Sequence, residues 1–236
     1  MRWFITGDTH GDWSRIWNWL TRMGFDQDEN INVGILGDAG LYWLPDKKDA
    51  EAIIKHHENN FKAHIFFLDG NHENFDILKT LKITPDGVAH ISEHIHYLPR
   101  GFCGWFQITL DYGLKIAVCG GADSVDRGRR IEGISWWADE KITQRDIDKI
   151  DDEYYDYVLT HCCPRSVFEQ NRAYLANLAN IPADSTLHDS EDILEQLKNK
   201  ITFRNWLFGH YHIDKKLDDK FICVYNDFIE LERKGE

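Results

Sequence analysis

Five short stretches, scattered from one end of the chain to the other, each close a strand-like apolar run with residues that ligate metals. They read Gly7-Asp8-Thr9-His10-Gly11, Gly37-Asp38-Ala39-Gly40, Gly70-Asn71-His72-Glu73, Thr160-His161-Cys162 and Gly209-His210-Tyr211-His212. Together they supply two Asp, one Asn and five His. In α/β sheets the loops at the carboxyl ends of strands converge on one crevice, so a strand followed by a ligand is the layout that lets distant residues share a site. A chain built this way is expected to bring Asp8 and His212 together.

The first half alternates strand and helix. An apolar run over residues 2–6 predicts a strand. Asp12 then reads as an N-cap, because its carboxylate can accept from the free N–H groups of the next turn. Trp13, Ile16, Trp17, Leu20 and Met23 follow at helical spacing, closed by Gly24. Residues 31–36 form a second strand, Asp46 opens a second helix with Ile53, Ile54 and His57 on one face, and residues 63–68 form a third strand. Phe75, Leu78 and Leu81 mark a short helix. This βαβαβα order predicts a mostly parallel or mixed sheet covered by helices. The middle changes character, with two runs (105–110 and 114–119) that read as a hairpin around Asp111-Tyr112-Gly113. Thr143 caps a polar helix reaching to about Asp152. A strand over 157–160, a helix around Ile193, Leu194 and Leu197, a strand over 204–208 and a last hairpin turning near Asp218-Asp219 complete the pattern. Residues 164–187 show no clear period.

Composition narrows the function. The chain has 236 residues, enough for one large domain and a sizeable core, and we expect a single domain over 1–236. The net charge of −13 argues against a general nucleic-acid binder, whose surface would be basic; nucleic acid enters only as a substrate. Five Cys without a CxxC pattern do not make a disulfide framework. With no leader-type N-terminus and no apolar run near the ~20 residues of a membrane span, the expectation is a cytoplasmic protein without a membrane partner.

Carboxylate and neutral imidazole suit Zn, Fe, Mn, Co or Ni, and the absence of a Cys cluster disfavours a structural zinc. Asp8 and Asp38 each end an apolar strand, where an uncompensated carboxylate is costly and a cation removes the cost. Two such ions lower the pKa of a shared water, and the resulting bridging hydroxide can attack phosphorus in line.

In their order these five stretches resemble the calcineurin-like metallophosphoesterases, in particular small bacterial and phage members, from Asp8 to His212. The resemblance implies a four-layer α/β/β/α sandwich with mixed sheets and a dimetal site at the strand C-terminal ends. It implies that Asp8, His10 and His212 hold one metal, that Asn71, His161 and His210 hold the other, and that Asp38 bridges. Two divalent ions are the implied cofactors, manganese favoured. His72 would assist the leaving group.

The second motif departs from the Gly-Asp-x-x-Asp-Arg of the protein Ser/Thr phosphatases: Leu41 and Tyr42 stand where the Asp and Arg would be. The Asp that would orient His72 is missing, and so is a phosphate-binding Arg. Replacement cations are expected from residues 120–130, where Arg127 and Arg130 are candidates for substrate binding, since a guanidinium can hold two phosphate oxygens at once. The remaining seven His read as structural, and His94-x-His96 as a half-exposed strand. The expected function is metal-dependent hydrolysis of a phosphomonoester on a small molecule or a protein. Alternatives are a phosphodiesterase or nuclease on the same centre, and a non-catalytic metal-binding scaffold.

Overall fold

A computed structural model describes residues 1–43, 47–178 and 188–232. Strand β1 (Arg2–Thr6) leads through the first motif into α1 (Ser14–Met23), followed by β2 (Ile31–Ile35), α2 (Lys47–Asn60), β3 (His64–Phe67) and α3 (Phe75–Leu78). The chain continues through β4 (Ala89–His90), β5 (Ile95–Tyr97), β6 (Phe102–Thr109), β7 (Tyr112–Cys119) and α4 (Gln144–Asp148). It ends with β8 (Tyr154–Thr160), α5 (Arg165–Gln170), α6 (Arg172–Leu178), α7 (Asp189–Lys200), β9 (Thr202–Phe208), β10 (Lys215–Lys216), β11 (Phe221–Cys223) and β12 (Ile229–Glu230).

The strands make two mixed sheets, ordered β12-β1-β2-β3-β5-β4 and β10-β11-β9-β8-β7-β6. The centres of both are parallel: β1, β2, β3 and β5 in the first, β7, β8, β9 and β11 in the second. Antiparallel strands close the edges. Strand periodicity then builds the layers. In β1, Trp3 and Ile5 point to the second sheet, where they meet Phe106, Leu114, Ile116, Val118, Leu159 and Leu207. Trp3 stacks on Phe106 with ring centroids 3.6 Å apart. Phe4 points the other way, into a core with Ile16, Trp19 and Leu20 of α1. On the second sheet Ala117, Cys119, Trp206 and Phe208 face Ile147 of α4, Phe168 of α5 and Leu194 and Leu197 of α7. Helix, sheet, sheet, helix is the expected α/β/β/α sandwich. No described helix is long and apolar enough to cross a membrane.

Several local expectations shift. Trp13 holds the assigned cap position of α1 without a side-chain bond, and Asp12 supplies the expected capping bond, its Oδ1 accepting from Ser14 N at 3.0 Å. Met23 is exposed and Trp19 takes its place in the buried face, while Gly24 ends the helix at φ 72° as expected. Asp46 lies outside the described residues. The helix after Thr143 is shorter than expected, ending at Asp148. The His94-x-His96 segment is not half-exposed. His94 and His96 are both buried, flanking and within β5, with His94 Nδ1 against Glu58 Oε2 at 2.6 Å. Alternation fails there because both faces of β5 are covered: Ile95 and Tyr97 enter the core with α1, while His96 packs with its ring 4.5 Å from that of Phe66. Strands β4 and β12, two residues each, are too short for any periodic signal.

Candidate metal centre

The motif loops lie at the carboxyl ends of β1, β2, β3, β8 and β9, and they meet. His10 Nε2 is 3.0 Å from His212 Nε2, and His212 Nε2 is 3.2 Å from Asp8 Oδ2. Asp38 Oδ2 lies 3.8 Å from His10 Nδ1 and 3.4 Å from His161 Nε2. His161 Nε2 is 3.1 Å from Asn71 Oδ1, and the His161 and His210 rings are 4.9 Å apart. Three overlapping groups could each hold an ion: Asp8, His10 and His212; His10, Asp38 and His72; and Asp8, Asp38 and His161. They share Asp8, His10 and Asp38, so the geometry is that of adjoining sites. Asp8 and His212 sit side by side.

Several lone pairs here face one another, which is the geometry of a cation site. The His161 ring sits with Nδ1 2.7 Å from the Leu36 carbonyl, so Nδ1 carries hydrogen, and in its neutral form the ring offers its lone pair at Nε2. Opposite stands Asn71 Oδ1, whose own Nδ2 donates to Ser124 Oγ at 3.0 Å. An acceptor therefore meets an acceptor. Asp8 Oδ2 is buried and, although close to His212, makes no hydrogen bond of proper geometry with any described residue. A proton or a metal ion must fill these gaps, and carboxylate, amide oxygen and imidazole suit a divalent ion. Without metal the field does it by protonation. Burial alone would push His161 down, yet the Asp38 and Asp8 carboxylates hold it up at about 10. In turn His161 and His72 hold Asp38 well below the usual carboxylate range despite its burial. Burial and the charge on His161 push His210 down to about 3.

The backbone is strained to make this arrangement. Among the described residues the non-glycine positions with positive φ are His10 (48°), Asp38 (49°), His210 (66°) and His212 (53°), all candidate ligands. Such conformations cost on the order of 1 kcal/mol each and persist where surrounding contacts impose them. Asp38 Oδ1 accepts from His72 N at 2.7 Å, and Asp8 Oδ1 from His210 N at 3.0 Å. The motif glycines leave room for these carboxylates and rings. A Cβ on Gly37 would meet His161 Nδ1 at 2.4 Å, one on Gly70 would meet Asp38 Oδ1 at 2.0 Å, and one on Gly209 would meet Asp8 Oδ1 at 2.4 Å.

His72 lies over the ligands, its ring 5.0 Å from that of His10. Its Nε2 accepts from Arg130 at 2.8 Å, and Arg130 is itself paired with Asp126 at 2.8 Å. Burial, with Arg130 and the neighbouring imidazoles, lowers His72 to about 4. Arg127 is exposed on a 3-10 turn, Arg127–Arg129, and its charge acts on Asp189. Of the two arginines it is thus Arg130 that reaches His72.

Sequence reasoning passed over the residues that brace the loops. Arg15 donates to the carbonyls of Gly7 and Asp8 at 3.1 and 3.0 Å. Ser124 Oγ donates to buried Glu140 at 2.7 Å and so fixes Asn71. Asp69, next to the third motif, takes Arg100 Nε at 2.7 Å and Tyr97 Oη at 2.9 Å. Trp43 packs 4.5 Å from the His72 ring and under Arg130. Asp69 was the one with a signal: it is an acid adjoining a motif glycine at a strand end.

A two-sheet sandwich with clustered carboxylate, amide and imidazole donors at its strand ends defines a metallohydrolase-type centre. The sequence model of the calcineurin-like phosphoesterases matches residues 1–214, and the chain belongs to that family of metal-dependent phosphoester hydrolases. Among curated proteins none matches the chain.

Proposed function

We propose that the protein hydrolyses phosphomonoesters at a centre of two divalent ions, held by Asp8, His10 and His212 on one side, by Asn71, His161 and His210 on the other, and by Asp38 between them. The observation that carries this reading is the meeting of acceptors from separate motif loops, such as His161 Nε2 against Asn71 Oδ1, which only a cation or a proton can reconcile. When bound, such ions activate a water and neutralise charge on the phosphoryl oxygens. The chain's own residues do the rest. Arg130 offers N–H donors to non-bridging oxygens, replacing the arginine that the second motif lacks. Once a phosphoryl oxygen takes the hydrogen bond that Arg130 now gives to His72, His72 Nε2 is free to hold a proton for the departing oxygen. Asp38 steadies His72 through its backbone N–H. Water adds across the P–O bond and yields an alcohol and inorganic phosphate.

The monoester preference is supported by the acidic chain, 40 Asp and Glu against 27 Lys and Arg, which offers little to a nucleic-acid backbone. Manganese is the ion to try first. Manganese-loaded protein should hydrolyse 4-nitrophenyl phosphate faster than bis(4-nitrophenyl) phosphate. The reverse order makes it a phosphodiesterase, and no hydrolysis of either by metal-loaded protein sinks the enzyme.

A further inference from the structure

A cavity of about 410 Å³ opens beside the centre, between the loop after the second motif and helix α2. His10 stands at its junction with the candidate ligands. Its walls include Leu41, Trp43, Ala52 and Ile53, and among the described residues its one carboxylate is Asp49, exposed on the first turn of α2. Trp43 is half-buried, with one neighbour the His72 ring at 4.5 Å and another the Arg130 guanidinium at 5.6 Å from its centroid. The tryptophan thus stands where the groups assigned to the phosphate end and the cavity begins. Leu41 and Trp43 belong to the same segment in which the protein-phosphatase pattern is lost.

We propose that this cavity receives the leaving alcohol of the substrate, and that this alcohol carries a planar aromatic group with no negative charge at its far end. The inference rests on the phosphoesterase reading and adds a substrate class to it. The volume falls in the range of small-molecule sites, about 300–1,000 Å³, and leaves room for a one- or two-ring group. Trp43 supplies an aromatic surface against which a ring can stack, and Ile53 and Leu41 bury its edges. Among the described residues that line the cavity Asp49 carries the negative charge and repels a second phosphate or a carboxylate, so sugar bisphosphates and polyphosphates are disfavoured.

Non-hydrolysable phosphonates test this apart from leaving-group reactivity. Calorimetry on the manganese-loaded protein should find benzylphosphonate bound about tenfold or more tighter than methylphosphonate. Trp43→Ala and Ile53→Asp should bring that ratio close to one. Wild type should bind 4-carboxybenzylphosphonate about threefold or more weaker than benzylphosphonate, and Asp49→Lys should remove or reverse the difference. A wild-type benzyl-to-methyl ratio near one, in protein that hydrolyses 4-nitrophenyl phosphate, overturns the aromatic pocket and leaves the phosphoesterase standing. A high ratio that survives both Trp43→Ala and Ile53→Asp also overturns it, since the ring then binds elsewhere. Protein that binds neither phosphonate and hydrolyses no ester overturns both.

Discussion

Gly70→Ala isolates the packing of the candidate centre. Gly70 lies outside the left-handed backbone region, so alanine is free of conformational penalty there. The added methyl, however, would sit 2.0 Å from Asp38 Oδ1 and 2.4 Å from Asp38 N. Ordinary contact needs roughly 3.5 Å, so the carboxylate or its loop must retreat by more than about 1 Å. Asp38 is held at φ 49° and its Oδ1 already accepts from His72 N, so the retreat disturbs a strained ligand and the placement of His72 together. Overpacking of this kind costs about 1–3 kcal/mol of stability. A displacement near 1 Å at a reacting centre costs about 100-fold in rate. The variant should therefore melt a few degrees lower, lose bound manganese and fall about 100-fold in kcat/KM on 4-nitrophenyl phosphate. Gly128→Ala is the control, because no described atom lies within 4 Å of its added Cβ. A Gly70→Ala protein that keeps full metal content and turns over within about threefold of wild type would refute the proposed role of Asp38.

His72→Ala should lower kcat about 100-fold while metal content holds, because the bond to Asp38 comes from its backbone; Asp38→Asn should lower both, as read by metal analysis beside kinetics. Arg130→Ala should cost about 100-fold in kcat/KM and Arg127→Ala markedly less, and equal losses would count against the assignment. Acid should unfold the protein through histidines far from the centre. Burial holds His57 near 4, and burial with the charge on His64 holds His96 near 3, against an ordinary 6.5. Between those values the unfolded chain binds protons the fold does not, so stability falls as pH drops below about 6.5, by roughly 3 kcal/mol for His57 alone by pH 4. Glu58 adds the same sign lower down: despite partial burial, its bonds to Ser92 and His94 hold it at about 2, so its contribution is lost below about pH 4. Denaturant melts from pH 7 to 4 should show this slope, and His57→Gln should flatten it.

Much of the centre was legible because ligand chemistry and strand ends coincide in the sequence. Asp8, Asp38 and His161 follow apolar runs, and the runs became β1, β2 and β8. The layers were less legible, since the pairing of Trp3 with Phe106 joins sheets that are distant in sequence. The support around the ligands was invisible for a physical reason. Ser124, Glu140 and Arg100 act through hydrogen bonds to residues remote in sequence, Asn71 with Ser124 and Asp69 with Arg100 among them, and no local spacing encodes such partners. His94 and His96 differ from the half-exposed expectation because their cover comes from elsewhere in the chain, Glu58 of α2 over His94 and Phe66 of β3 against His96.

Anomalous diffraction from crystals of the manganese-loaded protein tests the central claim most directly. We predict two peaks roughly 3.5–4 Å apart, one beside Asp8, His10 and His212, the other beside Asn71, His161 and His210, with Asp38 reaching both. No peak among these residues, or manganese bound only elsewhere on the surface, would contradict it.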